Sequence, residues 1–170
     1  MQYDDKNREI FDQKADAATF AHALERHFNW FSGVPDSVFQ KVLPALRHWQ
    51  FAPRENSAVA MAFGARLGGL RPCVLIQNSG LGLSIDALLG TFHLYNTGLL
   101  LVVSNRGALS WEEVQHQYWG KITRRLLAAA GIPQVSFDTE GLDGIERAAA
   151  LAVETNKITC LLVDRGNINE

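Results

Sequence analysis

Apolar and polar residues alternate along the chain in two kinds of pattern. Short continuous apolar runs predict strands, and the three longest are typical of strands buried on both faces. The strands are expected at residues 29–35, 49–53, 72–77, 98–104, 133–137 and 158–164. Between them, apolar residues recur with a spacing near 3.6, which predicts helices. The helices are expected at residues 15–29, 38–48, 55–69, 82–95, 120–131 and 141–156.

Strands that alternate with helices predict an α/β fold. We expect a doubly wound, mostly parallel six-stranded sheet with helices on both faces. No internal repeat or linker interrupts the pattern, so residues 1–170 are expected to form one domain, with residues 1–12 flexible and without an assigned role. In such sheets ligands bind beyond the carboxyl ends of the strands. The turns that follow the strands are therefore the places to look for chemistry.

Composition narrows the class of protein. The 170 residues are 47% hydrophobic and 20% charged, with a net charge of −2. The chain therefore lacks the excess of positive charge that nucleic-acid binding needs. No signal peptide or apolar run long enough to cross a membrane is visible. Cys73 and Cys160 both lie in apolar runs, and a reduced, cytoplasmic setting is the simpler interpretation, although a disulfide is possible.

Polar residues follow three of the predicted strands. Asp36 and Ser37 come after the first strand, Glu55 after the second, and the sequence QNSGLG at 77–82 after the third. Each has a structural explanation, because Gly, Pro, Asp and Ser suit turns and a glutamate suits the first turn of a helix. These residues also have a functional explanation, because together they place polar groups at one edge of a sheet.

The segment 105–118 has no clear period and predicts the longest loop, which is often a functional feature. It contains Arg106, Gln115 and His116, and Lys121 follows it. His116 is the one histidine of five that is expected in a loop at the edge of the site. No HExxH or paired-cysteine pattern is present, so we expect no metal site within this chain.

Four segments carry a resemblance to a known family. They are G-V-P-D-S at 33–37, E-N-S-A-V-A-M-A-F-G-A-R-L-G-G at 55–69, Q-N-S-G-L-G at 77–82 and Q-H-x-x-x-G-K-I-T at 115–123. In order and spacing they resemble the pyrimidine-binding domain of the thiamine-diphosphate enzymes phosphonopyruvate decarboxylase and sulfopyruvate decarboxylase alpha subunit. The resemblance covers about residues 30 to 130.

The resemblance implies roles for individual residues. Glu55 matches the glutamate that hydrogen-bonds a ring nitrogen of the cofactor and starts catalysis. His116, with Asp36 nearby, is implied as the group that transfers protons. Asn78, Ser79 and Gly80 are implied in contact with the cofactor. The residues implied in binding an anionic substrate are Ser37, Gln115, Arg106 and Lys121, with Arg54 as a further candidate.

The resemblance also implies what lies outside this chain. Family members hold Mg²⁺ and the diphosphate on a Gly-Asp-Gly stretch, which this sequence lacks. We therefore expect a separate diphosphate-binding beta subunit that holds the metal, in a hetero-oligomer with at least two of each subunit. The implied reaction releases carbon dioxide and an aldehyde from phosphonopyruvate or sulfopyruvate. Leu83 and Asp86 depart from the family pattern, and a carboligating or a purely regulatory subunit remain alternatives.

Overall fold

The structure is a computed structural model that describes residues 13–169. The expectation of a flexible segment at residues 1–12 lies outside the described residues. At the start of the described part, β1 (Ala15–Asp16) pairs in parallel with β8 (Ile168–Asn169). This small two-stranded sheet was not predicted, because strands of two residues leave no visible period in a sequence.

The main sheet has six strands, as predicted. In chain order they are β2 (Trp30–Gly33), β3 (Trp49–Phe51), β4 (Pro72–Gln77), β5 (Leu99–Ser104), β6 (Gln134–Ser136) and β7 (Ile158–Val163). Their spatial order is β3-β2-β4-β5-β7-β6, and every neighbouring pair is parallel. Gln77 pairs with Ser104, and Ser104 pairs with Val163, so β4, β5 and β7 end at the same level.

Helices cover both faces of the main sheet. They are α1 (Ala17–Glu25), α2 (Glu55–Leu67), α3 (Leu81–Leu88), α4 (Val114–Ala129) and α5 (Phe137–Glu154). The end of α3 continues as a π-helical turn over Leu89–His93. The alternating residues of each central strand separate into two buried clusters, with α1 and α5 over one face and α2, α3 and α4 over the other. The doubly wound α/β prediction is therefore confirmed.

One predicted helix was wrong. Residues 38–48 do not form a continuous helix but two short 3₁₀ turns, Ser37–Phe39 and Leu43–Ala45. Pro44 lies in the first positions of the second turn, where its missing N–H is harmless. A helix running through it would lose a hydrogen bond and clash with the carbonyl four residues earlier. The apolar spacing that suggested a helix instead buries Phe39, Val42 and Leu43.

The starts of two helices also differ from the sequence-based prediction. The loop after β5 ends before residue 114, so His116 lies in the first turn of α4 and not in a loop. The first turns of α4 bury no side chain fully, so they lack the regular apolar spacing that reveals a helix in the sequence. Helix α5 begins at Phe137, before the predicted start at 141, and is interrupted at Gly141, whose φ of 58° breaks the helical path.

The described residues were also searched for membrane-crossing segments. No helix among residues 13–169 combines the length and the apolar character that crossing a bilayer requires.

Candidate active site

The polar turns predicted to share one edge of the sheet do so. Asp36 and Ser37 follow β2, Glu55 opens the helix after β3, Asn78 follows β4 and Arg106 follows β5. Because these parallel strands are neighbours in the sheet, their carboxyl ends deliver the five residues to one side of the molecule. This edge is the position at which doubly wound sheets bind ligands.

Glu55 and Gly80 form the closest approach at this edge. Glu55 is the first residue of α2 and is half-buried, and its carboxyl group lies against the backbone of Gly80. A Cβ atom at position 80 would stand 2.2 Å from Cγ and 2.8 Å from Oε1 of Glu55. A side chain at position 80 would therefore displace the carboxyl group. The N-terminus of α2 also favours a carboxylate at this point through the helix dipole.

A second group of side chains connects β4 to the start of α4. Gln77, the last residue of β4, donates from Nε2 to Ser79 Oγ at 2.7 Å. The same nitrogen lies 3.3 Å from His116 Nδ1. Gln77, Ser79 and His116 are all half-buried. The structure therefore brings together the motifs at 77–82 and 115–123, which are distant in the sequence.

Arg106 is the centre of a buried ionic cluster. Its Nε donates to Glu112 Oε1 at 2.8 Å, its Nη2 to Glu113 Oε2 at 2.7 Å, and its Nη1 to Ser37 Oγ at 3.0 Å. Nη1 also lies 3.6 Å from Asp36 Oδ2. The side chain is 6% exposed. Burial lowers the pKa of Arg106, but the hydrogen bond to Glu112 and the charge of Asp36 outweigh it and raise the pKa.

Glu113 extends this cluster to the turn after β7. Its two carboxyl oxygens lie 3.0 and 3.1 Å from Nη1 of Arg165. Its own backbone N–H, and then Arg165 and Arg106, lower the pKa of Glu113 to about 2, against a smaller opposing effect of burial. Arg165 also lies over the ring of Trp111, 5.3 Å from the ring centroid. These ion pairs and hydrogen bonds therefore connect the turns after β2, β5 and β7 to the start of α4.

Two buried side chains, Glu112 and Asn78, hold the loop between β5 and α4 in place. Glu112 Oε2 accepts from the backbone N–H of Gly107 at 2.7 Å and of Leu109 at 3.3 Å. Asn78 donates to the carbonyl of Arg106 at 2.8 Å and to Thr123 Oγ1 at 2.9 Å. Asn78 is fully buried, and its Oδ1 accepts no hydrogen bond from the described residues.

Glycines allow this loop to lie directly on α4. A Cβ atom at Gly120 would stand 2.0 Å from the carbonyl oxygen of Gly107. Gly107 has a φ of 78°, a conformation that favours glycine. The glycine of Q-H-x-x-x-G-K-I-T is therefore required for close packing between the loop and the helix, next to His116.

Three predicted substrate-binding residues stand apart from these groups. Arg54, Gln115 and Lys121 are exposed, and within residues 13–169 none of them makes a hydrogen bond or ion pair through its side chain. Lys121 follows His116 by five residues, which places the two about 140° apart around α4. They therefore do not share a face of the helix.

A cleft opens beside Asp36 and Ser37. Its volume is about 740 Å³, which lies within the range of small-molecule sites. Its lining residues are Pro35, Asp36, Ser37, Gln40, Leu43, Pro44, Leu46, Trp49 and Phe51. The polar end of the cleft is the turn after β2, and the rest is mainly apolar.

A further polar group lies at the ends of β5 and β7. Asp164 accepts from Asn105 Nδ2 at 2.7 Å. Burial raises the pKa of Asp164, and the hydrogen bond from Asn105 opposes this only in part. Asn167 is fully buried, donates to Asp138 Oδ1 at 2.9 Å and accepts from the backbone N–H of Asp164 at 2.7 Å. Within the described part of the chain, no three His, Cys, Asp or Glu side chains are grouped so that they could hold a metal ion.

Comparison with known proteins gives the family. The sulfopyruvate decarboxylase subunit alpha of Methanococcus maripaludis is 31% identical over 158 residues, which are 88% of this chain and 94% of that protein. The chain belongs to the sulfopyruvate decarboxylase alpha-subunit family. The family member from Methanothermobacter thermautotrophicus is 30% identical over 124 residues, 71% of this chain and 74% of that subunit. The family resemblance inferred from the sequence is confirmed.

Two further comparisons cover only part of the protein that is matched. A phosphonopyruvate decarboxylase of Streptomyces viridochromogenes is 34% identical over 103 residues, 56% of this chain but 26% of that protein. The 2-oxoglutarate:ferredoxin oxidoreductase of Magnetococcus marinus matches 89% of this chain, which spans 28% of that chain, with a TM-score of 0.62 and 20% identity. This structural likeness concerns the fold alone. No protein-family model matches the sequence.

Several residues that organise this alpha-subunit site were not among the residues predicted to function. They are Gln77, Glu112, Glu113 and Arg165. Gln77 carried a signal, since it is the first polar residue after a buried apolar run. Glu112 and Glu113 carried a weaker one as adjacent carboxylates in a long loop. Arg165 carried none, because nothing in the sequence shows that the turn after β7 meets the start of α4.

Proposed function

We propose that this chain is the pyrimidine-binding alpha subunit of a split thiamine-diphosphate-dependent decarboxylase. Its substrate would be sulfopyruvate or phosphonopyruvate, and its products carbon dioxide and the corresponding aldehyde. Membership of the alpha-subunit family supports the proposal. The observation that carries it is the Glu55 carboxyl group at the start of α2, lying in a space that exists because residue 80 is glycine.

The residues present fit the cofactor. Glu55 would hold the pyrimidine ring through one of its nitrogens, and Ser79 and Gly80 would border the ring, because they lie on the turn next to this carboxyl group. Asn78 has a buried Oδ1 that accepts nothing from the described residues, and it would complete this wall. When bound, thiamine diphosphate supplies the electron sink for cleavage of the carbon–carbon bond of a 2-oxo acid.

The chain's own contribution is proton handling and positioning. Glu55 would share a proton with the ring nitrogen, a task for which a half-buried carboxyl group at a helix N-terminus is well placed. His116 and Asp36 would deliver and accept the protons needed at the substrate. Asp36 is buried and lies beside Arg106, so its position is fixed before substrate binds.

Binding of the substrate anion is proposed for Ser37, Gln115, Arg106 and Lys121, with Arg54 as a further candidate. Arg106 faces protein oxygens at Asp36, Glu112, Glu113 and Ser37, so its effect on the substrate would pass through the Ser37 hydroxyl group that it holds. Arg54 and Lys121 would supply exposed positive charge at the rim.

The partner subunit is part of the proposal. Three relatives are named as alpha subunits. We infer a separate beta subunit that binds the diphosphate and Mg²⁺, in an assembly with at least two of each subunit. We also infer a cytoplasmic location, with which the buried free thiols of Cys73 and Cys160 agree.

The test is a product assay on this chain co-produced with its diphosphate-binding partner. With thiamine diphosphate and Mg²⁺ present, carbon dioxide and aldehyde are measured from sulfopyruvate, phosphonopyruvate and pyruvate. We expect aldehyde from an anionic substrate, and a loss of about 10²-fold or more in kcat for Glu55→Gln. Glu154→Gln, which removes an exposed carboxylate at the end of α5, serves as the control.

Either of two results would overturn the proposal. Unchanged turnover in Glu55→Gln would show that the carboxyl group is not required and would favour a regulatory subunit. Carbon dioxide release without free aldehyde, together with a longer product when an acceptor aldehyde is added, would favour carboligation.

A further inference from the structure

Gln77 and His116 are linked in a way that bears on the proton carried by the imidazole ring. Gln77 Nε2 lies 2.7 Å from Ser79 Oγ and 3.3 Å from His116 Nδ1. An amide nitrogen carries two hydrogens and no acceptor, so it can donate to both partners at once. Nδ1 of His116 must then be an acceptor. In a neutral imidazole the single hydrogen consequently resides on Nε2.

The other side of the ring is free. Among the described residues no group makes a hydrogen bond with Nε2 of His116, and the side chain is half-buried beside the turn that contains Ser79. A neutral ring with hydrogen on Nε2 can donate a hydrogen bond from that side. A ring with the opposite arrangement could only accept one there.

We propose that Gln77 is a positioning residue that holds neutral His116 with its hydrogen on Nε2, so that His116 meets the substrate as a hydrogen-bond donor. The position of the hydrogen follows from the contacts within this chain. The use of this donor rests on the proposed decarboxylase function, since a 2-oxo acid carries a carbonyl oxygen that such a hydrogen bond can hold and polarise.

The backbone supports this assignment. Gln77 is the last residue of β4 and pairs with Ser104 of β5, so its backbone is fixed by the centre of the sheet. His116 is fixed from the other side, because α4 is held to the loop before it by the contact between Gly107 and Gly120. The two side chains therefore meet between rigid elements, which is the arrangement that a precise donor requires.

Nitrogen NMR of the full chain, labelled with ¹⁵N in histidine, tests the proposal without any substrate or cofactor. Under conditions where the ring is neutral, long-range proton–nitrogen correlations distinguish hydrogen on Nε2 from hydrogen on Nδ1. His116→Asn identifies the signals of His116 among the five histidines. We expect the pattern of an Nε2–H ring in the unmodified chain.

Gln77→Glu provides the decisive variant. A carboxylate of nearly the same shape can only accept, so the ring should change to the Nδ1–H form. Gln50→Glu adds the same charge at an exposed position of β3 and should leave the His116 signals unchanged. Circular dichroism of each variant, matching that of the unmodified chain, shows that the fold is retained.

Kinetics of the assembled complex then test the use of the donor. At a pH where the ring is neutral in both complexes, we expect kcat of Gln77→Glu to fall by about 10²-fold while KM stays within about twofold, because the substrate still binds but Nε2 no longer donates a hydrogen bond to it. An Nδ1–H ring in the unmodified chain, or the same ring form in Gln77→Glu, would overturn the proposal. If the unmodified complex releases no product, the proposed function fails while the NMR result stands.

Discussion

At the scale of single residues, the contact between Glu55 and Gly80 is the most demanding feature of the site. The φ of Gly80 is −76°, which any residue adopts, so glycine is required there for space and not for conformation. A Cβ atom at 2.2 Å from Cγ of Glu55 is far inside any normal contact. One methyl group at position 80 is therefore enough to move the carboxyl group on which the proposed chemistry depends.

Gly80→Ala should abolish most activity while the chain still folds. Glu55 is half-buried and can swing toward solvent, so we expect a moderate cost in stability, about 1–3 kcal/mol. The displaced carboxyl group would lower kcat by about 10²-fold. Turnover by the assembled complex and urea unfolding of the full chain measure the two effects.

Gly64→Ala is the matched control for this substitution. Gly64 lies in α2, the helix that begins with Glu55, and a Cβ atom there would meet nothing within 4 Å. The full chain should gain about 0.5–1 kcal/mol of stability from the higher helix propensity of alanine. Equal activity in Gly80→Ala and the unmodified complex would show that the contact does not matter.

At the scale of elements, charged side chains connect the start of α4 to the turns after β2, β5 and β7. Arg106 connects the turn after β5 to the turn after β2 and to Glu112, and Glu113 connects α4 to Arg165 after β7. Glu112 is fully buried. A buried carboxylate needs its partners, because an uncompensated charge in the interior costs several kcal/mol.

Removal of both partners of the buried pair should therefore cost less than the sum of the two single removals. Arg106→Met leaves Glu112 buried without its cation, and we expect a loss of about 3–5 kcal/mol. In the double variant with Glu112→Gln, the loss should be at least about 1 kcal/mol smaller than the sum of the two single losses. Urea unfolding of the four chains gives the coupling. If the two single losses in free energy of unfolding add up to the double loss within about 0.5 kcal/mol, the pair is not coupled. If Arg106→Met does not fold, Arg106→Lys takes its place.

The hydrogen bond from its own backbone N–H, together with the ion pairs to Arg165 and Arg106, makes the contribution of Glu113 to stability depend on pH. Its pKa is lowered from 4.5 to about 2 in the folded chain, so its stabilisation is present above an ordinary pKa and is lost as the pH falls toward 2. The side chain is 38% exposed, and screening limits the gain to about 1 kcal/mol or less. Glu113→Gln should be less stable than the unmodified chain near neutral pH, with the difference shrinking between about pH 5 and pH 2.

Denaturant midpoints across this range measure the Glu113 effect. Glu154→Gln, at the exposed end of α5, should show no such difference at any pH. A difference between Glu113→Gln and the unmodified chain that stays constant down to about pH 2 would mean that the pairs with Arg106 and Arg165 contribute nothing.

At the scale of the whole molecule, the proposed function makes this chain one wall of a site. The polar edge contains the Glu55 carboxylate, which is proposed to hold the cofactor ring, and His116. The Arg106 cluster itself brings no net positive charge, since Arg106 and Arg165 face Asp36, Glu112 and Glu113. The attraction for a substrate anion must then come from the exposed cations of this chain or from the partner.

Decarboxylase activity should therefore appear only when this chain is mixed with its diphosphate-binding partner. When this chain is titrated with the diphosphate-binding partner at fixed concentration, turnover should rise from the background and reach a plateau at a defined ratio of subunits. The substrate's KM should rise with ionic strength, because binding of its anionic group is electrostatic. Full turnover by this chain without a partner would contradict the split site.

The sequence determined the fold class and the position of the site. Short uninterrupted apolar runs that alternate with helical patterns indicate strands covered on both faces, as in a parallel sheet with helices on either side. In such a sheet the residues after each strand must meet at one edge, so Asp36, Glu55, Asn78 and Arg106 could be placed together before any coordinates. The motifs also identified the family, because their residues and spacing match those of its members over much of the chain.

Only the tertiary structure decided which of these side chains face one another. Strand order depends on how the helices pack, and no local pattern records it, so the meeting of Glu113 with Arg165 could not be predicted. Polar first turns concealed the start of α4 and the position of His116 within it. Gly80 was expected in a turn that contacts the cofactor, and the structure shows that its lack of a side chain makes room for Glu55. Such contacts are created when distant segments pack.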